Sequence, residues 1–214
     1  VLTEPVQPVG APRTSRARAI STVVGGLLIT GVLVGGVWAF IAPPIHAVVA
    51  LTHSGERVHD YLGGEADNFF VAAALMFGLL TLVALVVPVL VWQWRAHRGP
   101  GMVLGLSAGM VAAAASGASV GALLVRLRYG AVNVDRVPVT HKDPFHYIAE
   151  APPVLFGHTP LQAACTVLVP AAAAALVYAL LAAASPRDDL GSHPVVEAGY
   201  PPTPATTSPG GTAF

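Results

Sequence analysis

The chain has 214 residues, 54% of them hydrophobic and only 10% charged, with a formal net charge of zero. Soluble domains carry about 25% charged residues, so this composition excludes an ordinary soluble globule, and the balanced charge offers no footprint for nucleic acid. The single cysteine, Cys165, excludes an intramolecular disulfide.

In chain order, residues 1–18 are polar and proline-rich and read as a disordered tail. Four stretches free of internal charge follow, at about 19–41, 69–94, 102–125 and 160–184. Each is long enough to cross the hydrocarbon core as a helix. In lipid every backbone amide needs an internal partner, so helices are the only way these segments can cross. The expected fold is an all-α membrane protein: a four-helix transmembrane bundle over residues 19–184, with a small extracytoplasmic cap built from outer loops 42–68 and 126–159. Pro43-Pro44 stops the first span, and Thr159-Pro160-Leu161-Gln162 supplies a capping box for the fourth. A cleaved signal peptide is the rival reading of the first span, with Arg13, Arg16 and Arg18 as its basic head. The apolar run is too long for that, and no small-residue cleavage site follows.

Arg13, Arg16 and Arg18 precede the first span, and Arg95 and Arg98 lie in the short hairpin between the second and third. The positive-inside rule puts both groups in the cytoplasm. The chain is then a multi-pass plasma-membrane protein with both termini cytoplasmic. Arg126 and Arg128, at the outer end of the third span, count against this. Residues 185–214 form a second disordered tail rich in Pro and Thr. Thr203, Thr206, Thr207 and Ser208 there are candidate phosphorylation sites, against the blander reading of a solvated tail.

The first outer loop carries a helical periodicity from Ile45 to Leu62. Val48, Leu51, Val58 and Leu62 fall in one stripe at about 100° per residue, and His46, His53, Arg57 and Asp60 form a polar stripe nearly opposite. The sequence therefore predicts an outer amphipathic helix here. In the second loop, 131–140 has extended character. Asp143-Pro144 looks like the start of a short helix through Glu150.

Six of the eight histidines lie in these loops. His53, His59, His141 and His146 are the candidates for an outer metal site, though no H-x-x-x-H or H-E-x-x-H spacing supports one. No nucleophile motif or phosphate loop is present, and Cys165 sits in an apolar stretch where a thiol acts as a small hydrophobe. The sequence implies no cofactor. Ionisable residues, the usual mark of a transporter, are missing from the spans. Pro88 and Pro170 interrupt the second and fourth spans, but proline is tolerated there for packing as well.

The third span carries the most regular pattern. Gly101, Gly105, Gly109, Ala113, Gly117 and Gly121 recur every four residues, and Gly31 and Gly35 give the first span a shorter version. Such ridges let helix backbones approach closely in lipid. The ridge is expected to pack inside the bundle, against the first or fourth span, with packing against a second subunit as the alternative.

The run Trp38-Ala39-Phe40-Ile41-Ala42-Pro43-Pro44, continuing through Ser54-Gly55-Glu56-Arg57-Val58-His59 and Gly64-Glu65-Ala66-Asp67, resembles an actinobacterial, largely mycobacterial, family of four-span membrane proteins of unknown function. The likeness covers about 18–184. It implies an integral protein of the cell envelope and carries over no catalytic residue. Three function classes follow, in this order. The first is a non-enzymatic envelope protein that binds or organises a membrane or envelope partner through its outer loops. The second is a small oligomeric transporter or channel. The third is a metal protein or membrane enzyme using the loop histidines.

Overall fold

The computed structural model describes residues 15–130, 137–157 and 159–186. The extended character expected for 131–136 and most of both tails lie outside these residues. Four helices are long and apolar enough to cross a membrane: α1 (Arg16–Ile41), α2 (Asn68–Trp92), α3 (Pro100–Tyr129) and α4 (Pro160–Ala183). Their outward faces carry exposed leucines such as Leu33, Leu82, Leu104 and Leu176. Lipid solvates such surfaces; water does not.

The helix ends follow local chemistry. Ser15 caps α1 by accepting from the Arg18 amide. Thr159 and Gln162 form the reciprocal capping box of α4, with Pro160 in its first turn. Pro88 and Pro170 both lie buried inside their helices, turned away from lipid.

The most extensive contact joins α1 to α3; α2 and α3 then each pack on α4. Matched positions rise together along the first pair. Arg16 lies by Gly101, Ile20 by Gly105, Leu27 by Gly109, Gly31 by Ala113 and Trp38 by Gly121, so the two helices run parallel. Both present four-residue ridges, which favour a right-handed crossing at close range. The closest approach is at Gly31, Gly35 and Gly117. A methyl group at Gly31 would strike the Ala113 carbonyl, and one at Gly35 would strike that of Gly117. Ser116 donates across the seam to the Leu28 carbonyl at 3.0 Å. Trp38, wholly buried, donates its indole N–H to the Ala72 carbonyl at 2.7 Å and so ties α1 to α2.

At the end of the bundle that holds the α1 N-terminus, Arg98 donates to the Trp92 carbonyl at 2.8 Å and stacks 4.3 Å over its ring. Trp92 meets Tyr178 edge-on, and the Tyr178 hydroxyl accepts from the Gly99 amide at 3.2 Å. At the opposite end lies a cap, and here the sequence reading needs correcting. Ile45 to Leu62 is not an amphipathic helix but a hairpin of β1 (Ile45–Leu51) and β2 (Arg57–Tyr61). Phe145–Glu150 is not a short helix but β3, which pairs with β1. The sheet order is β2-β1-β3, antiparallel throughout. The cap expected from two outer loops is therefore a sheet shared between them.

The hairpin forms because Thr52 to Gly55 close a tight turn. The Gly55 amide donates to the Thr52 carbonyl at 2.9 Å, and the Thr52 amide to the Glu56 carbonyl at 2.9 Å. Gly55 has φ +84°, which a helix cannot accommodate and which suits a glycine ending a bulged hairpin turn. With period two, Ile45, Ala47 and Val49 turn inward and are fully buried.

The contacts along the α1–α3 seam set a graded expectation for alanine scanning in detergent. Gly35→Ala and Gly31→Ala should each lower stability by about 1–3 kcal/mol, because the added methyl meets backbone that cannot rotate away. Gly101→Ala, whose new methyl would meet only side-chain carbons at 3.8 Å or more, and Gly36→Ala, which faces open space, should be neutral within about 0.5 kcal/mol. Thermal unfolding with equal losses at all four positions would show that the seam does not set stability.

Candidate functional site

The strand register divides the candidate residues. Directly paired residues share a face, so Arg57, His59 and Tyr61 on β2 and His146, Ile148 and Glu150 on β3 lie on the inner face with Ile45, Ala47, Val49 and Leu51. His46, Val48, Ala50, Val58, Asp60, Phe145, Tyr147 and Ala149 lie on the other face. The expected polar stripe is thereby broken up. His46 and Asp60 share the outer face, Arg57 is on the inner one, and His53 is exposed in the turn. The proposed apolar stripe divides as well, with Leu51 inward and Val48 and Val58 outward. Seven-residue spacing keeps a face in a helix but reverses it in a strand.

The metal candidates do not converge. His53 and His141 are exposed in separate loops. His59 and His146 both oppose Val49, one from each flanking strand, so two strand spacings separate them, roughly 10 Å. Among the described residues no group of three or more His, Cys, Asp or Glu side chains comes together as a metal site needs.

The structure instead joins residues that the sequence reading did not pair. His59 Nε2 approaches Glu150 Oε1 at 3.0 Å, from β2 to β3 across the inner face of the sheet. The approach is close, but its geometry is not that of a good hydrogen bond, and the nitrogen is shielded from solvent. His59 also meets Tyr61 edge-on at 5.0 Å, and Tyr61 meets Phe69, at the start of α2, edge-on at 5.3 Å. Glu150 and Tyr61 face a cavity of about 540 Å³ between the cap and the bundle, walled by Phe69, Phe70, Phe156 and the backbone turn at Gly157. Arg57 lies elsewhere, donating to the Val137 carbonyl at 2.9 Å. His46 is held by Glu65, which accepts from its backbone amide at 2.6 Å and lies 2.8 Å from its ring Nδ1. Asn68 donates to the Pro44 carbonyl at 2.9 Å. The cap is thus fixed to the start of α2 at two points.

Residues 27–192 match a family described as "Protein of unknown function (DUF2567)". An uncharacterized protein of Mycobacterium tuberculosis strain H37Rv is 60% identical over 173 residues, covering 80% of this chain and 90% of that protein. An uncharacterized protein of Mycobacterium leprae is 60% identical over 178 residues, covering 83% and 90%. No solved structure matches. The chain belongs to the DUF2567 family. Its mycobacterial relatives agree with the resemblance drawn from the residues around Trp38 and Gly64. Their names describe no activity, so the reading of the junction cavity in this DUF2567 member rests on its own geometry.

Glu150 and Tyr61 were missed because each is ordinary in its local sequence. Period-two alternation through Arg57-Val58-His59-Asp60-Tyr61 was the available signal, and it would have put Tyr61 and His59 on one face. Nothing local links either to Glu150.

Burial pushes the Tyr61 phenol above its ordinary value of about 10, and the Glu150 carboxylate adds to the shift. A raised value keeps the phenol neutral. The associated stability is complete below pH of about 10 and is lost as pH rises through the folded value. Ultraviolet difference titration of the wild type against Tyr61→Phe should show Tyr61 ionising later than an exposed tyrosine. Glu150→Gln should bring that ionisation down without normalising it, since burial is the larger cause. Ionisation at or below the ordinary value would contradict the buried setting.

Proposed function

We propose that this DUF2567 member is a non-enzymatic, multi-pass protein of the plasma membrane that binds a protein partner through the outer face of its cap, with both termini in the cytoplasm. One observation carries the reading. Phe145 and Tyr147 on β3 are 64% and 68% exposed, and Val58 on β2 is 46% exposed. Register aligns Val58, Ala50 and Phe145 in one cross-strand row and Asp60, Val48 and Tyr147 in the next. An aromatic and aliphatic patch with a polar border, on a small sheet outside the spans, has the composition of an interaction surface.

The orientation rests on Arg16, Arg18, Arg95 and Arg98 at the end opposite the cap. Arg126 and Arg128, which count against it, lie in the last turn of α3. Cations are favoured there by the helix dipole whichever side they face, so their vote carries less weight.

In a Cys165→Ser background, a membrane-impermeant thiol reagent on intact cells should label His53→Cys and spare Ala96→Cys; the reverse pattern would invert the topology. A photo-crosslinking residue at position 147 should yield one discrete adduct with another protein in native membranes, which Val58→Glu diminishes. Lipid adducts alone would defeat the partner reading.

A further inference from the structure

The cavity at the cap and bundle junction has a neighbour further along the bundle. The Phe156 ring, which lines it, is also a wall of a second hollow, of about 370 Å³, on the membrane-facing surface between α2 and α4. Phe156 meets Phe70 at 5.5 Å and Phe77 at 6.1 Å between ring centres, so one run of aromatic rings borders both spaces. Besides Phe156, the lower hollow is lined by Phe77, Leu161, Gln162, Cys165, Thr166 and Val169. From Leu161 to Val169 it descends about 12 Å along α4, at 1.5 Å per residue. Its walls are almost wholly apolar, and the Thr166 hydroxyl is already donated to the Gln162 carbonyl at 3.0 Å.

The upper cavity differs in one respect. Tyr61, Phe69, Phe70 and Phe156 surround it, and Glu150 is the one charged side chain among its described lining residues. Aromatic faces attract cations, most strongly where water is scarce. A carboxylate in apolar surroundings gains from a fully aligned charged donor, and His59 does not supply that alignment. An anionic headgroup would meet the Glu150 charge with no Arg or Lys among the described lining residues to offset it. A neutral headgroup would forgo both the charge and the ring attraction.

We propose that this two-part space is a lipid-binding site for an amphiphile with an ammonium headgroup. The ammonium is held in the upper cavity by Glu150 and the surrounding aromatic rings. The hydrocarbon chain runs past Phe156 into the groove between α2 and α4. The level of the site agrees with this: Phe69 and Phe70 open the α2 span and Leu161 opens α4, where headgroup and hydrocarbon meet.

The full chain in maltoside micelles can be titrated with dodecylamine, dodecanol and butylamine while its thermal unfolding is followed. Dodecylamine should stabilise it saturably. Dodecanol, which has the chain without the charge, and butylamine, which has the charge without the chain, should not. Glu150→Gln should weaken the dodecylamine effect by about tenfold or more, and Cys165→Trp, at an exposed position that lines the groove, should remove it. If Glu150→Gln is not recovered folded, Phe69→Leu takes its place: a weakened dodecylamine effect supports the site, and an unaltered one overturns it. Native mass spectrometry should also show phosphatidylethanolamine retained over phosphatidylglycerol of the same chain length. Equal stabilisation by dodecanol, or equal retention of the two lipids, would overturn the ammonium assignment.

Discussion

Between α1 and α3 the backbones are in contact, and this contact fixes much of the rest. Gly117 meets the Gly31 and Gly35 turns with no side chain between them. In lipid there is no hydrophobic gain from bringing two apolar helices together, so association depends on close packing and on bonds such as that from Ser116 to the Leu28 carbonyl. The seam brings the two helices that cross in the same direction side by side. It also buries Trp38, which reaches out to α2. The remaining parallel pair, α2 and α4, closes the bundle. An apolar groove lies between these two helices, whose contact lacks the glycine ridge.

The cap follows from where these helices end. Pro43-Pro44 stops α1 and sends the chain out extended, and β1 becomes the central strand because β2 and β3 both pair with it. Its inner face is small and aliphatic, so the sheet can sit close to its neighbours. Larger and more polar groups lie on the flanking strands. This puts Tyr61 and Glu150 at the rim, over the first turn of α2, and leaves Phe145 and Tyr147 facing away. The two faces of one small sheet thus present different chemistry, an enclosed one with a carboxylate and an open one with aromatic rings.

The four helices were legible because the bilayer imposes a length and forbids charge, and both leave a direct trace in sequence. The capping box at Thr159 was legible for the same local reason. The glycine ridge could be seen as a pattern, but its register against Ile20, Leu27 and Trp38 is set only when α1 and α3 pack together. The cap was misread for a physical cause. Strands of five to seven residues are too short for periodicity to separate them from helix. In addition, Asp143-Pro144 imitates a helix start where the chain in fact enters β3. The bonds that decide the matter run between β1 and a strand nearly a hundred residues later, beyond any local window. The meeting of His59 with Glu150 depends on that same distant pairing, so the site was hidden for as long as the sheet was.

That distance has a consequence for how the protein is made. Leu51 leaves the ribosome long before Phe145, and α2 and α3 must both be synthesised in between. At 5–20 residues per second the delay is on the order of ten seconds. Until β3 is made, the β1–β2 hairpin has one edge of β1 unpaired, a row of free amides and carbonyls able to template a stray strand. The Glu65 clasp on the His46 amide lies within the residues made by then, so β1 can be tied to the start of α2 before its third strand arrives.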